Sequence, residues 1–241
     1  MLTISSPFHV RLRNAAGRLR RAMPLLLLGA AGLLAQSARA DVITFDGIGD
    51  GMFVDVGQVT QAGYSITVRS PEPLPPYSLV GVVVDGSYPN CYQFSCPASS
   101  SNYLTSVNGS KVDIARDGTS GAIKLSTFDA VFGGTSSSAT LVRVSGMLAD
   151  HSVVVEDFTS DGSGLAFQHF AVDAAFAGQQ FIGLSFSGLS CGSGTCVAAS
   201  QFGLDNITMA VPEPSTYLML GIGLLMVVGA VRRQRKTPAL A

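Results

Sequence analysis

At 241 residues the chain is long enough for one domain with a sizeable core and terminal appendages, and its 47% apolar content includes two termini that stand outside that core. The formal net charge of −1 hides an asymmetry: six of the 15 Lys and Arg lie in residues 1–40 and four after Val231, which leaves residues 41–211 with five cations against fifteen Asp and Glu, a net −10. A body this acidic repels phosphate backbones, so the composition argues against nucleic acid as a partner and leaves cation binding open.

In chain order, Arg11, Arg13, Arg18, Arg20 and Arg21 form a positive n-region, residues 23–34 an apolar h-region, and Ala38-Arg39-Ala40 an A-x-A cleavage site. This reads as a secretory signal peptide over 1–40, removed by signal peptidase before Asp41. Arg20-Arg21 invites a twin-arginine reading, but the Ala22-Met23-Pro24 that follows fits that signal poorly, which favours the general secretory route.

From 41 to 209 no 3.6-residue periodicity of helix length recurs; instead short β-branched and aromatic runs alternate with Gly, Ser, Asn and Asp. Strands are expected at 41–46, 58–69, 77–84, 111–115, 122–128, 139–148, 152–158, 165–172, 181–186 and 201–209. Tyr64, Ile66 and Val68 alternate with Ser65, Thr67 and Arg69, the pattern of a half-buried antiparallel strand. About ten such strands predict an all-β fold, an antiparallel β-sandwich or jelly roll over 41–211. The Pro-rich 70–76 cannot continue a central strand, 88–108 reads as a long exposed loop, and the Gly- and Ser-rich 133–138 reads as a flexible hairpin tip.

The cysteines form two copies of one spacing, Cys91-x4-Cys96 and Cys191-x4-Cys196. In an exported chain an even count implies disulfides, with the local pairings the simplest of three connectivities; a zinc site is the alternative. Gly188-Leu189-Ser190-Cys191-Gly192 matches the G-x-S-x-G nucleophile elbow, but Gly and Ser follow where a helix should, and no His occurs after His169, so a Gly/Ser-rich turn is the better reading. His151, Glu156, Asp157 and Asp161 lie close in sequence, and read as solvated turn residues before they read as a metal or catalytic set. Fifteen acids offer many chance carboxylate pairs and no spacing that marks a glycosidase. Asp46 and Asp205 stand apart because they lie on the first and last predicted strands. If those strands pair, the two carboxylates, joined by Asp50, could hold a Ca²⁺, a hard ion that prefers oxygen ligands. No other cofactor is expected.

The chain ends in an ordered set of signals: Pro212-Glu213-Pro214, the apolar run 217–231, then the basic stop Arg232, Arg233, Arg235 and Lys236, followed by a short tail, 237–241. Fifteen residues of helix span about 22 Å against a hydrocarbon core of about 30 Å, short for a permanent anchor. The basic run marks the cytoplasmic side, so one C-terminal transmembrane helix is expected, with the domain outside. In this order residues 212–236 resemble the PEP-CTERM sorting signal of Gram-negative bacteria. The resemblance implies an exported substrate of an exosortase-type membrane enzyme, anchored in the inner membrane as a precursor and then delivered to the cell surface or an extracellular polysaccharide matrix. Within 41–209, Ile43-Thr44-Phe45-Asp46-Gly47, Leu125-Ser126-Thr127-Phe128-Asp129-Ala130, Phe167-Gln168-His169-Phe170 and Phe202-Gly203-Leu204-Asp205-Asn206-Ile207 are similar to the β-sandwich domains of PEP-CTERM proteins, which resemble galactose-binding-like and other carbohydrate-binding jelly rolls. This implies the fold; for the domain's role the leading expectation is a non-catalytic glycan-binding or matrix module, with a structural surface protein lacking a small ligand, or a polysaccharide hydrolase, as alternatives.

Overall fold

The computed structural model describes residues 40–49, 51–87, 97–118, 121–133, 138–162, 164–192, 194–199 and 201–210, with Gly223, Met226 and Val227. The chain divides into two units, Arg39–Pro212 and the two ends beyond it. Among the described residues the first unit carries β1 (Asp41–Ile43), β2 (Gly51–Val54), β3 (Val56–Gln61), β4 (Tyr64–Arg69), β5 (Leu79–Val84), β6 (Tyr103–Val107), β7 (Lys111–Arg116), β8 (Leu125–Phe132), β9 (Leu141–Met147), β10 (Val153–Thr159), β11 (Gln168–Ala171), the short helix α1 (Ala174–Ala177), β12 (Gly183–Gly192), β13 (Thr195–Ala198) and β14 (Gln201–Met209).

These strands form two seven-stranded sheets, all of whose strand pairs are antiparallel. The first runs β11-β8-β14-β6-β5-β2 with β1 also on β14, and the second runs β10-β9-β12-β7-β4-β3 with β13 also on β12. The expected β-sandwich is therefore the fold. Period-2 alternation drives it: Ile66, Val68, Val112, Ile114, Val142, Val144, Leu184 and Phe186 of the second sheet are buried, while their chain neighbours face out.

Phe128 sits at the centre of the core. Its ring lies 4.9 Å from Phe158, 5.4 Å from Phe170 and 5.3 Å from Phe186, so β8 and β11 of one sheet are joined to β10 and β12 of the other. The packing leaves no slack near glycines that rings cover. A Cβ built at Gly146 would fall 2.2 Å from Phe181 Cε1. Gly146→Ala should therefore cost about 1–3 kcal/mol through overpacking, read as a lower urea midpoint with an unchanged slope.

Several local expectations are corrected. The predicted strand 58–69 is two strands, because Ala62 and Gly63 both adopt left-handed backbone (φ 52° and 79°) and turn the chain so that Gln61 opposes Tyr64. Of the predicted loop 88–108, residues 88–96 lie outside the described residues, and the remainder contains β6, a central strand between β14 and β5, buried on both faces. Its hydroxyl-rich sequence conceals it, because Tyr103 is covered on the outer side by a second apolar cluster with Val82, Val84, Leu79 and Phe167, and Thr105 is buried as well. Of the hairpin tip expected at 133–138, residues 134–137 lie outside the described residues; the strands on either side, β8 and β9, belong to different sheets. β2 and β13 are too short for an alternating pattern to reveal.

Candidate functional site

The pairing of first and last strands is present: Asp41, Val42 and Ile43 of β1 oppose Met209, Thr208 and Ile207 of β14. Asp46, just beyond β1, comes close enough to Asp205 for its charge to act on that carboxyl. A third element then holds both. Ser101 Oγ donates to Asp205 Oδ2, and the next residue, Asn102, donates its backbone N–H to Asp46 Oδ1 at 3.0 Å. Asn102 Nδ2 also donates to the Ile48 carbonyl at 3.0 Å, which fixes the turn after β1.

Across the outer face of this sheet the register forms one row: His169 of β11 opposes Asp129 of β8, which opposes Asp205 of β14. Asn206, at φ 47° where the β8–β14 register shifts, joins them: its N–H donates to Asp205 Oδ1 at 2.7 Å and its Nδ2 to Asp129 Oδ2 at 2.8 Å. His169 Nδ1 lies 2.7 Å from Asp129 Oδ1, and since a carboxylate only accepts, that nitrogen carries the proton. Asp205 is 1% exposed, and burial pushes its carboxyl up to about 6; the Ser101 and Asn206 donors oppose the rise, while Asp46 and Asp129 add to it. Tyr103 beside it on β6 donates its hydroxyl to the Pro97 carbonyl at 2.9 Å, so the segment 97–102 lies over this row.

The arrangement satisfies its own carboxylates with N–H and O–H donors. Among the described residues no group of three or more His, Cys, Asp or Glu is placed to hold a metal ion. The calcium expected at Asp46 and Asp205 thus has two carboxylates drawn to one place, each engaged by protein donors, and Asp50 lies outside the described residues.

The other sequence candidates disperse. His151 is the positive-φ residue of the β9–β10 turn (φ 66°), where Asp150 Oδ1 accepts from the Ser152 N–H and hydroxyl. Asp157 is paired with Arg143 at 2.7 Å and 2.8 Å, which holds its carboxyl below the usual range, and Glu156 Oε1 accepts the Asp173 N–H at 2.9 Å. Ser190 lies on β12, which continues to Gly192 and folds back as β13, so a strand-to-strand hairpin stands where the elbow needs a helix. Cys191 and Cys196 oppose each other in that hairpin and are bonded, with Cα atoms 4.1 Å apart. Cys91, Cys96, Ala38, Pro212, Glu213, Pro214, Arg232, Arg233, Arg235 and Lys236 lie outside the described residues, and Ala40 is exposed just before β1.

One surface was foreshadowed among the sequence candidates only by Asp157. The outer face of the second sheet is open and polar. One transverse row runs Asp157 (β10), Arg143 (β9), Ser187 (β12), Lys111 (β7), Arg69 (β4) and Val56 (β3), each the pairing partner of the next. The neighbouring row runs Val155, Ser145, Ser185, Asp113, Thr67 and Gln58 in the same way. Arg69 Nε meets Asp113 Oδ2 at 2.6 Å and Lys111 Nζ meets Asp113 Oδ1 at 3.4 Å. The signal for it lay in the sequence as outward positions of alternating strands, but only the pairing lines them up.

Residues 210–236 match the family described as the PEP-CTERM protein-sorting motif. Such a motif implies an exported protein, membrane-anchored before an exosortase processes it. No curated protein matches the chain. Among solved structures it is similar to a lysine-to-alanine variant of a family 29 carbohydrate-binding module, at 9% identity and a TM-score of 0.34 over 72% of this chain and 90% of that one. It is also similar to a DUF4465 family protein from Bacteroides ovatus ATCC 8483, at 9% identity and a TM-score of 0.40 over 72% of this chain and 99% of that one. These are likenesses of fold alone. Among the described residues no helix is long and apolar enough to cross a membrane; the run 217–231 falls almost wholly outside them.

Proposed function

We propose that this chain is an exported protein of the cell surface or extracellular matrix whose β-sandwich is a non-catalytic, glycan-binding module. The observation that carries the export half is the sorting motif at 210–236. The route follows from the termini: signal peptidase removes 1–40 after Ala38-Arg39-Ala40, residues 217–231 hold the precursor in the inner membrane, the basic residues 232–236 stop it there, and an exosortase acts at Pro212-Glu213-Pro214.

The glycan-binding half is supported by the outer face of the second sheet, where Ser187 lies between Arg143 and Lys111, and Ser145, Ser185 and Thr67 of the neighbouring row flank Asp113, so that short hydroxyl side chains stand beside charged ones. A hydrolytic reading finds less support. The facing carboxylates Asp129 and Asp205 are held by His169, Asn206 and Ser101, and Asp205 is sealed from solvent.

Intact-mass analysis of the fractionated native protein tests the route. The expected product begins at Asp41 and lacks Lys236, and replacing Pro212, Glu213 and Pro214 by alanine should leave the longer precursor in the inner membrane. A native, membrane-bound form that begins at Asp41 and keeps Lys236 would sink the processing reading. Retention on immobilised polysaccharides tests the module, and its absence would favour a structural surface protein without a small ligand.

A further inference from the structure

Three of the five Lys and Arg in residues 41–211 stand in one row on one face, although Arg69, Lys111 and Arg143 come from strands far apart in the chain. At about 4.8 Å per strand, Arg143 and Arg69 are roughly 14 Å apart with Lys111 between them. With Asp113 and Asp157 the group is net positive, while the remainder of the domain is strongly acidic. At physiological salt the screening length is about 8 Å, so an anion laid on this face feels the row more than the distant carboxylates.

The side chains remain available. Arg69 is 51%, Arg143 41% and Lys111 26% exposed. Arg69 engages its partner through Nε and Arg143 through Nε and one terminal nitrogen, so both guanidinium groups keep N–H donors pointing to solvent. Asp113 and Asp157 act as struts that hold the cations in place before a ligand arrives, which lowers the ordering cost of binding. No aromatic ring stands in either row for a sugar to stack on. The face must therefore hold a ligand by hydrogen bonds and charge.

Building on the glycan-binding reading, we infer that the outer face of the second sheet binds a carboxylated polysaccharide, a polyuronate laid across β9, β12, β7 and β4 with its carboxylates on Arg143, Lys111 and Arg69 and its hydroxyls on Ser187 between them and Ser145 and Ser185 of the adjacent row. The chemistry matches: a planar carboxylate accepts two N–H bonds from one guanidinium, and the ammonium of Lys111 supplies a point charge.

The test uses the full-length chain in a non-ionic detergent, with polygalacturonate and a neutral β-glucan as probes in affinity electrophoresis. The protein should be retarded by polygalacturonate, with the retardation weakening as NaCl is raised. Arg143→Gln, Lys111→Gln and Arg69→Gln should each lower affinity about tenfold, the scale of one charge-assisted hydrogen bond. Arg143→Lys should restore part of the loss, and Lys124→Gln, off the row, should bind as the parent does. Melting temperatures close to the parent's separate lost binding from lost folding. Equal loss in Lys124→Gln and the row variants, or no loss in either, overturns the assignment of the surface. Retardation by the neutral glucan alone overturns the polyuronate inference and leaves glycan binding standing; retardation by neither probe overturns both.

Discussion

Replacing Phe128 by alanine is expected to remove about 3–5 kcal/mol of stability, the range of a large aromatic deletion in a close-packed core. The ring is fully buried and touches Phe158, Phe170 and Phe186, and those partners come from both sheets. Its removal therefore does more than lose transfer energy: it leaves a void between two layers whose strands are fixed by their own ladders and cannot collapse into it. Edge-to-face ring pairs add about 0.5–1.5 kcal/mol each beyond burial. Urea unfolding would read the change as a lower midpoint with an unchanged slope. A loss below about 1 kcal/mol, the size of an average substitution, would show that Phe128 does not hold the sheets together.

The second large effect concerns pH. In an unfolded chain Asp205 would titrate near its ordinary value of 3.8, whereas in the fold burial moves it to about 6. Between those values the folded state keeps a proton that the unfolded state has released, so the folded state binds more protons and stability falls as pH rises. The contribution is fully present below the unfolded value, is lost as pH climbs through about 6, and amounts to about 2–3 kcal/mol at 1.36 kcal/mol per pH unit. Asp205→Asn removes the charge while keeping the bonds, because its carbonyl can accept from the Asn206 N–H and its amide can donate to Ser101 Oγ. Relative to the parent, the variant should be more stable at pH 8 by about that amount and show no such gain at pH 4. The difference between variant and parent is the proper measure, since Asp157, whose titration Arg143 pulls downward, pushes the pH dependence the other way. The same ΔΔG at both pH values would show that the buried carboxyl is not the group that titrates. Should Ca²⁺ bind at Asp46 and Asp205, calorimetric titration at pH 7 would give heat with the parent and none with Asp205→Asn.

Features that depend only on local order are legible along the chain. The signals at the ends are contiguous strings of charge, greasy residues and proline, so they are legible without a fold, and the one at 210–236 is matched. Alternation in segments such as 64–69 and 111–115 marks strands because neighbouring side chains on a pleated chain must face opposite ways. The pairing of first and last strands was also foreseeable, and it brought Asp46 and Asp205 together. What sequence could not supply is whatever depends on which strands become neighbours. β6 was hidden because a strand covered on both faces need not alternate, and its outer cover comes from Phe167, far along the chain. Ser101 and Asn102 gave no sign that they would clasp two carboxylates from opposite ends of the domain. The row of Arg143, Lys111 and Arg69 exists only because β9, β12, β7 and β4 lie side by side in one register; shifting one strand by a single residue would turn its cation to the opposite face.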